Sequence, residues 1–173
     1  MDATAPSPRT RSAHAAPPLP CTPFSLVKGF HFRTIQEAVI FVLHERLHAD
    51  TVHVIDWKLC RVLLSNNASY PWLILVPMRK GLRDFHDVAL TDKATLIEEI
   101  DRASNALQCL HDPDKINVAA LGNMVPQLHV HVIARFATDA AWPGPVWGEG
   151  PVLPYKSVQL SDTVNALKIA LKE

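Results

Sequence analysis

The sequence predicts an α+β domain built on a largely antiparallel sheet. Three observations carry this. Five short stretches have strand patterning, one long stretch between the third and fourth has helical spacing, and a second helical stretch closes the chain. The 173 residues suffice for one domain with a real core. We assign that domain to residues 34–173.

Residues 1–33 read as a disordered N-terminal extension, most clearly in the stretch to residue 23, where Ala, Pro, Ser and Thr dominate and Pro17, Pro18 and Pro20 cluster. Thr34 followed by Glu37 forms a capping-box pattern. Ile35, Ala38, Val39, Val42 and Leu47 then predict a helix over 34–48. Thr51–Ile55 and Leu59–Ser65 predict two strands joined by a turn at Asp56-Trp57-Lys58. Trp72–Val76 is a wholly apolar strand ended by Pro77. Thr91 is the expected cap of the long helix, with Leu96, Ile100, Ala103, Leu107 and Leu110 on its inner face and Asp112-Pro113-Asp114 as its stop. Ile116–Leu121 and Leu128–Arg135 complete the sheet across a turn at Gly122–Pro126. Residues 137–154, with Pro143, Gly144, Pro145, Gly148 and Gly150, predict an irregular loop. Ser161 is the expected cap of a last helix whose Val164, Leu167 and Leu171 face inward. An antiparallel sheet of this kind has edges to cover, so a homodimer is expected.

Composition narrows the function. Hydrophobic residues make up 48% and charged residues 20%, ordinary for a globular chain. Lys plus Arg and Asp plus Glu both number 17, so neither nucleic acid nor an anionic membrane is an expected partner. The longest apolar run, Ala38–Leu43, is far too short to span a bilayer, and the N-terminus lacks a secretory apolar region, so a cytoplasmic protein is expected. Cys21, Cys60 and Cys109 are odd in number and lack zinc-ligand spacing, which fits a reducing compartment. Cys60 and Cys109 sit among apolar residues and read as core thiols.

The stretch Gln127–Val132 alternates polar and apolar residues strictly. On a strand, Gln127, His129 and His131 share one face, and Leu128, Val130 and Val132 share the other. Two neighbouring imidazoles can divide labour between nucleophile or base and acid. A solvated polar face is the plain alternative, although such faces more often carry Thr, Lys, Glu or Arg. A metal site is the weaker alternative. It needs further ligands, and Ala134, Arg135, Phe136 and Ala137 supply none. Neither a metal nor a bound cofactor is expected. Asn66, Asn117 and Asn123 are candidate ligand contacts, and Asn117 is the sharpest because it interrupts an apolar strand. Trp142 and Trp147 either lid a pocket or pack on the sheet. His14, His31, His44, His48, His53, His86 and His111 have no partner pattern and read as surface residues.

His129-Val130-His131-Val132-Ile133 resembles the end of the histidine triad (HIT) motif, His-φ-His-φ-His-φ-φ with φ apolar. Trp72-Leu73-Ile74-Leu75-Val76-Pro77, Phe85-His86-Asp87-Val88, Lys115-Ile116-Asn117-Val118, Gly122–Gln127 and Thr138–Gly148 are similar to stretches of a bacterial, diadenosine tetraphosphate hydrolase-like branch. The resemblance runs from about Phe41 to the C-terminus. It implies a HIT-like fold and a nucleotidyl hydrolase or transferase acting on a phosphoanhydride or phosphoramidate. It implies His129 as nucleophile and His131 as the contact to phosphate and leaving group. Gln127 replaces the first triad histidine, a supporting residue, and can hydrogen-bond but cannot carry a proton. The resemblance further implies nucleotide contacts from Asn66, Asn117 and Asn123. The alternative is a catalytically weak nucleotide-binding or interaction protein with the same fold.

Overall fold

The computed structural model describes residues 41–172, which fall within one compact unit. The expected extension, the domain boundary near residue 33, the Thr34–Glu37 capping box, His14, His31 and Cys21 lie outside the described residues.

Strands β1 (Thr51–Asp56), β2 (Cys60–Ser65), β3 (Trp72–Pro77), β4 (Lys115–Ala119) and β5 (Val130–Arg135) form one five-stranded sheet in the order β1-β2-β3-β5-β4. Every neighbouring pair is antiparallel, as the sequence predicts. The helices are α1 (Glu45–Asp50), α2 (Leu90–His111) and α3 (Ser157–Ala170).

The two faces of the sheet are covered differently. On one, Leu96, Ile100, Ala103 and Leu107 of α2 and Leu167 of α3 pack with Leu171 on Val62, Leu64, Leu73, Leu75, Val130 and Val132. This face excludes water and supplies most of the apolar burial. On the other, Leu63, Trp72, Ile74 and Ile133 lie under Leu47 of α1 and irregular chain carrying Val125, Ala141 and Val146. Loops leave gaps that a helix pair would fill, and this second face holds the polar residues. Glu99 ties the layers together. Buried on α2, its carboxylate accepts from the backbone N–H groups of Leu59 and Cys60, both at 2.8 Å.

Several boundaries differ from expectation. Residues 41–44 are not helical, and α1 starts only at Glu45, because the backbone of 42–44 bonds to a distant side chain. The N-cap of α2 is Ala89, which puts Thr91 inside the first turn. The helix α3 begins at Ser157, so Ser161 is internal. Leu110 is 39% exposed and Cys109 is exposed, because the last turn of α2 faces away from the apolar layer. Cys60 is a core thiol, and burial pushes its pKa up. A short 3-10 turn at Phe85–Asp87 precedes α2. Asp112 stops α2 in the left-handed region at φ 46°, which Asp tolerates, and Pro113 follows.

Candidate functional site

Antiparallel register sets the site. Ile74 of β3 pairs with His131 of β5, and Trp72 pairs with Ile133. Their side chains therefore share one face of the sheet with Asn117, which pairs with Ile133 from β4. His129 lies just before β5, and the alternation holds: Leu128, Val130 and Val132 enter the helix-covered core while the histidines take the other face.

That face is not a solvated one. His129 is 5% exposed and His131 6%. Each ring is held by its Nδ1. His129 Nδ1 lies 2.6 Å from the Gln127 backbone oxygen. A carbonyl only accepts, so Nδ1 carries the proton and Nε2 keeps its lone pair. His131 Nδ1 accepts from the Trp72 indole N–H at 3.0 Å. An indole only donates, so in the neutral ring the proton sits on Nε2. The two imidazoles thus hold opposite tautomers, one offering a lone pair and the other an N–H.

The rings stand edge to face, centroids 4.8 Å apart at 80°. Trp72 and Trp147 each meet the His131 ring at 5.4 Å and 5.3 Å. Burial lowers the pKa of both histidines. His131 falls to about 3, with the neighbouring His129 adding to the shift. The shift of His129 is partly opposed by the Gln127 carbonyl and reinforced by His44. Both rings are neutral near pH 7.

They line a cavity of about 400 Å³, shared with Arg46, Leu47 and Asp50 of α1, with Trp147 and with Asn123 and Met124 of the loop before β5. No buried side-chain nitrogen or oxygen among the described residues lacks a partner, so neither Nε2 is sealed off in the core. The arrangement suits an in-line attack by one imidazole on an electrophile whose oxygen the other imidazole binds.

Of the residues singled out in the sequence, His129, His131 and Asn123 meet in this cavity. Asn117 and Asn66 do not line it. The Asn117 side-chain oxygen accepts from Arg135 at 2.8 Å, and that of Asn66 accepts from the Tyr155 backbone at 3.2 Å. Gln127 is near the site but its amide turns away. Its oxygen accepts from the His44 N–H at 2.9 Å and its nitrogen donates to the Val42 carbonyl at 3.0 Å. Trp147 packs on Trp72 and His131 and walls the cavity. Arg135 anchors the loop that carries Trp147, binding both carboxylate oxygens of Asp139 at 2.8 Å and 2.9 Å. The roles of Trp72, Arg46 and His44 had no local signal in the sequence. Their partners lie elsewhere in the chain or depend on where α1 begins.

One His and carboxylate cluster among the described residues is tight enough to share an ion: Asp84, His86 and Asp87, all exposed. Asp87 there accepts from the backbone N–H groups of Arg83 and Asp84, which makes the cluster a helix-start cap. No helix among the described residues is long and apolar enough to cross a membrane.

The family model for the HIT domain matches residues 46–138. A histidine triad protein of Bradyrhizobium japonicum is 44% identical, with a TM-score of 0.74 over 76% of this chain and 98% of its own. One from Marinobacter aquaeolei is 46% identical, with a TM-score of 0.74 over 76% of this chain and 96% of its own. A third, from Sinorhizobium meliloti, is 38% identical, with a TM-score of 0.73 over 75% of this chain and 96% of its own. No curated protein matches the chain.

Proposed function

We propose that this chain, which belongs to the HIT domain family, is a nucleotidyl hydrolase or transferase working through a covalent nucleotidyl-histidine at His129. Its substrate is a nucleoside phosphoanhydride, such as a diadenosine polyphosphate, or a phosphoramidate. The observation that carries the reading is the pair of opposed tautomers on one cavity wall.

His129 Nε2 attacks the α-phosphorus and the bond to the leaving group breaks, its electron pair going to the departing phosphate oxygen or, for a phosphoramidate, to an amine nitrogen that takes a proton from solvent. The ring becomes cationic as the P–N bond forms, and the Nδ1–H bond to the Gln127 carbonyl strengthens with it. That contact therefore favours the transition state over the ground state. His131 donates from Nε2 to a phosphoryl oxygen. With its pKa held to about 3, the free protein presents it as a neutral donor at pH 7 and not as an acid. Water then cleaves the P–N bond and releases the nucleoside monophosphate. Asn123 contacts the nucleotide from the adjoining loop. We assign the chain to the bacterial diadenosine tetraphosphate hydrolase-like branch, with Gln127 in the first triad place, and expect a cytoplasmic homodimer needing neither metal nor cofactor. For Asn66 and Asn117 the geometry favours structural roles over the nucleotide contacts that the resemblance implies.

One observation favours a second reading, a nucleotide-binding protein with weak catalysis. The Gln127 amide is fully engaged with Val42 and His44, so no proton carrier occupies the first triad position.

The test uses the purified protein with diadenosine tetraphosphate and with adenosine 5′-phosphoramidate, following AMP and trapping the adduct. Wild type should release AMP, and His129→Ala should lose at least about a thousandfold in rate together with the adduct. Undiminished turnover by His129→Ala would sink the mechanism. Binding of AMP without turnover of either substrate would favour the second reading.

A further inference from the structure

Gln127 stands where the triad motif has its first histidine. Its surroundings point elsewhere. The side-chain amide makes two bonds, and both go to one short backbone segment more than eighty residues away: Val42 O at 3.0 Å and His44 N at 2.9 Å. An amide has the shape and polarity of a peptide group, so Gln127 pairs with residues 42–44 much as a neighbouring strand would.

That segment has no helix or sheet ladder of its own. It leads straight into α1, which is too short to hold its place by internal bonds. His44 is the N-cap of α1, and its Nδ1 accepts from the Arg46 backbone N–H at 3.2 Å. One residue on, the helix places Arg46, Leu47 and Asp50 in the lining of the cavity. The amide therefore fixes where that part of the wall begins. The nucleophile is held differently. His129 Nδ1 bonds to the main-chain oxygen of residue 127, which any side chain there would leave in place.

We propose that Gln127 is a positioning residue for the substrate-binding wall, clamping residues 42–44 so that Arg46, Leu47 and Asp50 close the cavity, and that its side chain takes no part in orienting His129. The inference rests on the nucleotidyl-hydrolase reading for the site's substrate, and it places the role of Gln127 in binding rather than in chemistry. An amide is required. A carboxylate of the same shape would accept from His44 but would face the Val42 carbonyl with like polarity.

The experiment compares Gln127→Ala, Gln127→Glu, His44→Ala and His44→Pro, and Gln127→Ala combined with each His44 change, with wild type. Proline fits position 44, where φ is −56°, and removes only the backbone N–H that Gln127 accepts from, beyond what His44→Ala removes. Each variant is measured for KM and kcat on diadenosine tetraphosphate, for AMP affinity by calorimetry, and for amide exchange at His44 or Glu45, with Leu75 in β3 as the fold control. The expected result for both Gln127 variants is a KM and an AMP dissociation constant raised about tenfold, the scale of one or two lost hydrogen bonds, with kcat within about threefold. Exchange near residue 44 should accelerate while that of Leu75 does not. Going from His44→Ala to His44→Pro should weaken binding when Gln127 is present but not in the Gln127→Ala background, because the His44 N–H bond is the contact the two changes share. A kcat loss of a hundredfold at unchanged KM, unchanged exchange near residue 44, or an equal loss from His44→Ala to His44→Pro in both backgrounds would each overturn the clamp. Failure of wild type to turn over either substrate would overturn the hydrolase reading alone. AMP affinity and exchange would then decide the clamp.

Discussion

The two ends of one strand face treat burial in opposite ways. At the end of β5 towards the loop before it, His129 and His131 are neutral, each held by Nδ1 alone, with Nε2 left towards the cavity. At the far end, Arg135 is 2% exposed and fully charged. It binds both oxygens of Asp139, whose side chain is 6% exposed, and the side-chain oxygen of Asn117. Asp139 accepts further from the N–H groups of Phe136 and Ala141, both at 3.1 Å. The pairing raises the Arg135 pKa and holds that of Asp139 below the usual carboxylate range. Two buried polar groups on one face thus have different meanings. A charge with a complete set of partners is structure. A neutral ring with one edge kept open is free to meet a ligand in the cavity.

The largest expected effect separates the ends by stability. Asp139→Asn leaves the Arg135 guanidinium buried without its countercharge. Urea unfolding should show a loss of about 3–5 kcal/mol, the usual cost of breaking a buried pair. His129→Ala, which removes a neutral ring beside a cavity, should cost far less. Equal losses would erase the distinction. A smaller effect separates them by rate. Trp72→Phe keeps an aromatic ring against His131 and Trp147 but removes the indole N–H. His131 is then free to move its proton to Nδ1, and kcat/KM should fall about tenfold with little change in stability. Nitrogen chemical shifts of the His131 ring should move towards a mixture of tautomers. An unchanged rate would mean that the indole bond does not set the donor.

Much of this was legible from local pattern. The alternation from Gln127 to Val132 placed the histidines on one face, and the apolar run from Trp72 marked the central strand beside them. The inner face of α2 followed from Leu96, Ile100, Ala103 and Leu107. What failed depended on partners distant in sequence. The helix expected over 34–48 loses its described first part because Gln127 takes the backbone of residues 42–44 into another pairing. Asn117 was visible as a polar interruption, but its bond to Arg135 on the next strand was not. His44 read as a surface residue, yet it caps α1 and acts on the pKa of His129. Cys109 and Leu110 continue the apolar spacing of α2 past the point where the sheet still covers it.

The smallest expected effect uses pH to separate the same two ends. A histidine whose folded pKa lies below its unfolded value of about 6.5 binds its proton more tightly when the chain unfolds. Stability is therefore intact above about 6.5 and falls as the pH drops towards the folded value. For His131 that window runs down to about 3. Between pH 6.5 and 5.5 a single such ring contributes a loss of about 1 kcal/mol. Asp139 is shifted downward as a carboxylate, so its contribution is present above about 3.9 and is lost only below it. Urea midpoints taken from pH 7 to pH 5 should therefore decline in wild type and in Asp139→Asn alike, and less steeply in His131→Asn. Some slope should persist there, because burial lowers the pKa of His129 and His111 as well. The same displacement bears on activity. His129 stays neutral below the usual imidazole range, so the acid limb of kcat/KM should lie below about pH 6.5. A limb at or above that value, with an unchanged stability slope in His131→Asn, would mean that the open end of the face is as well solvated as an ordinary strand surface.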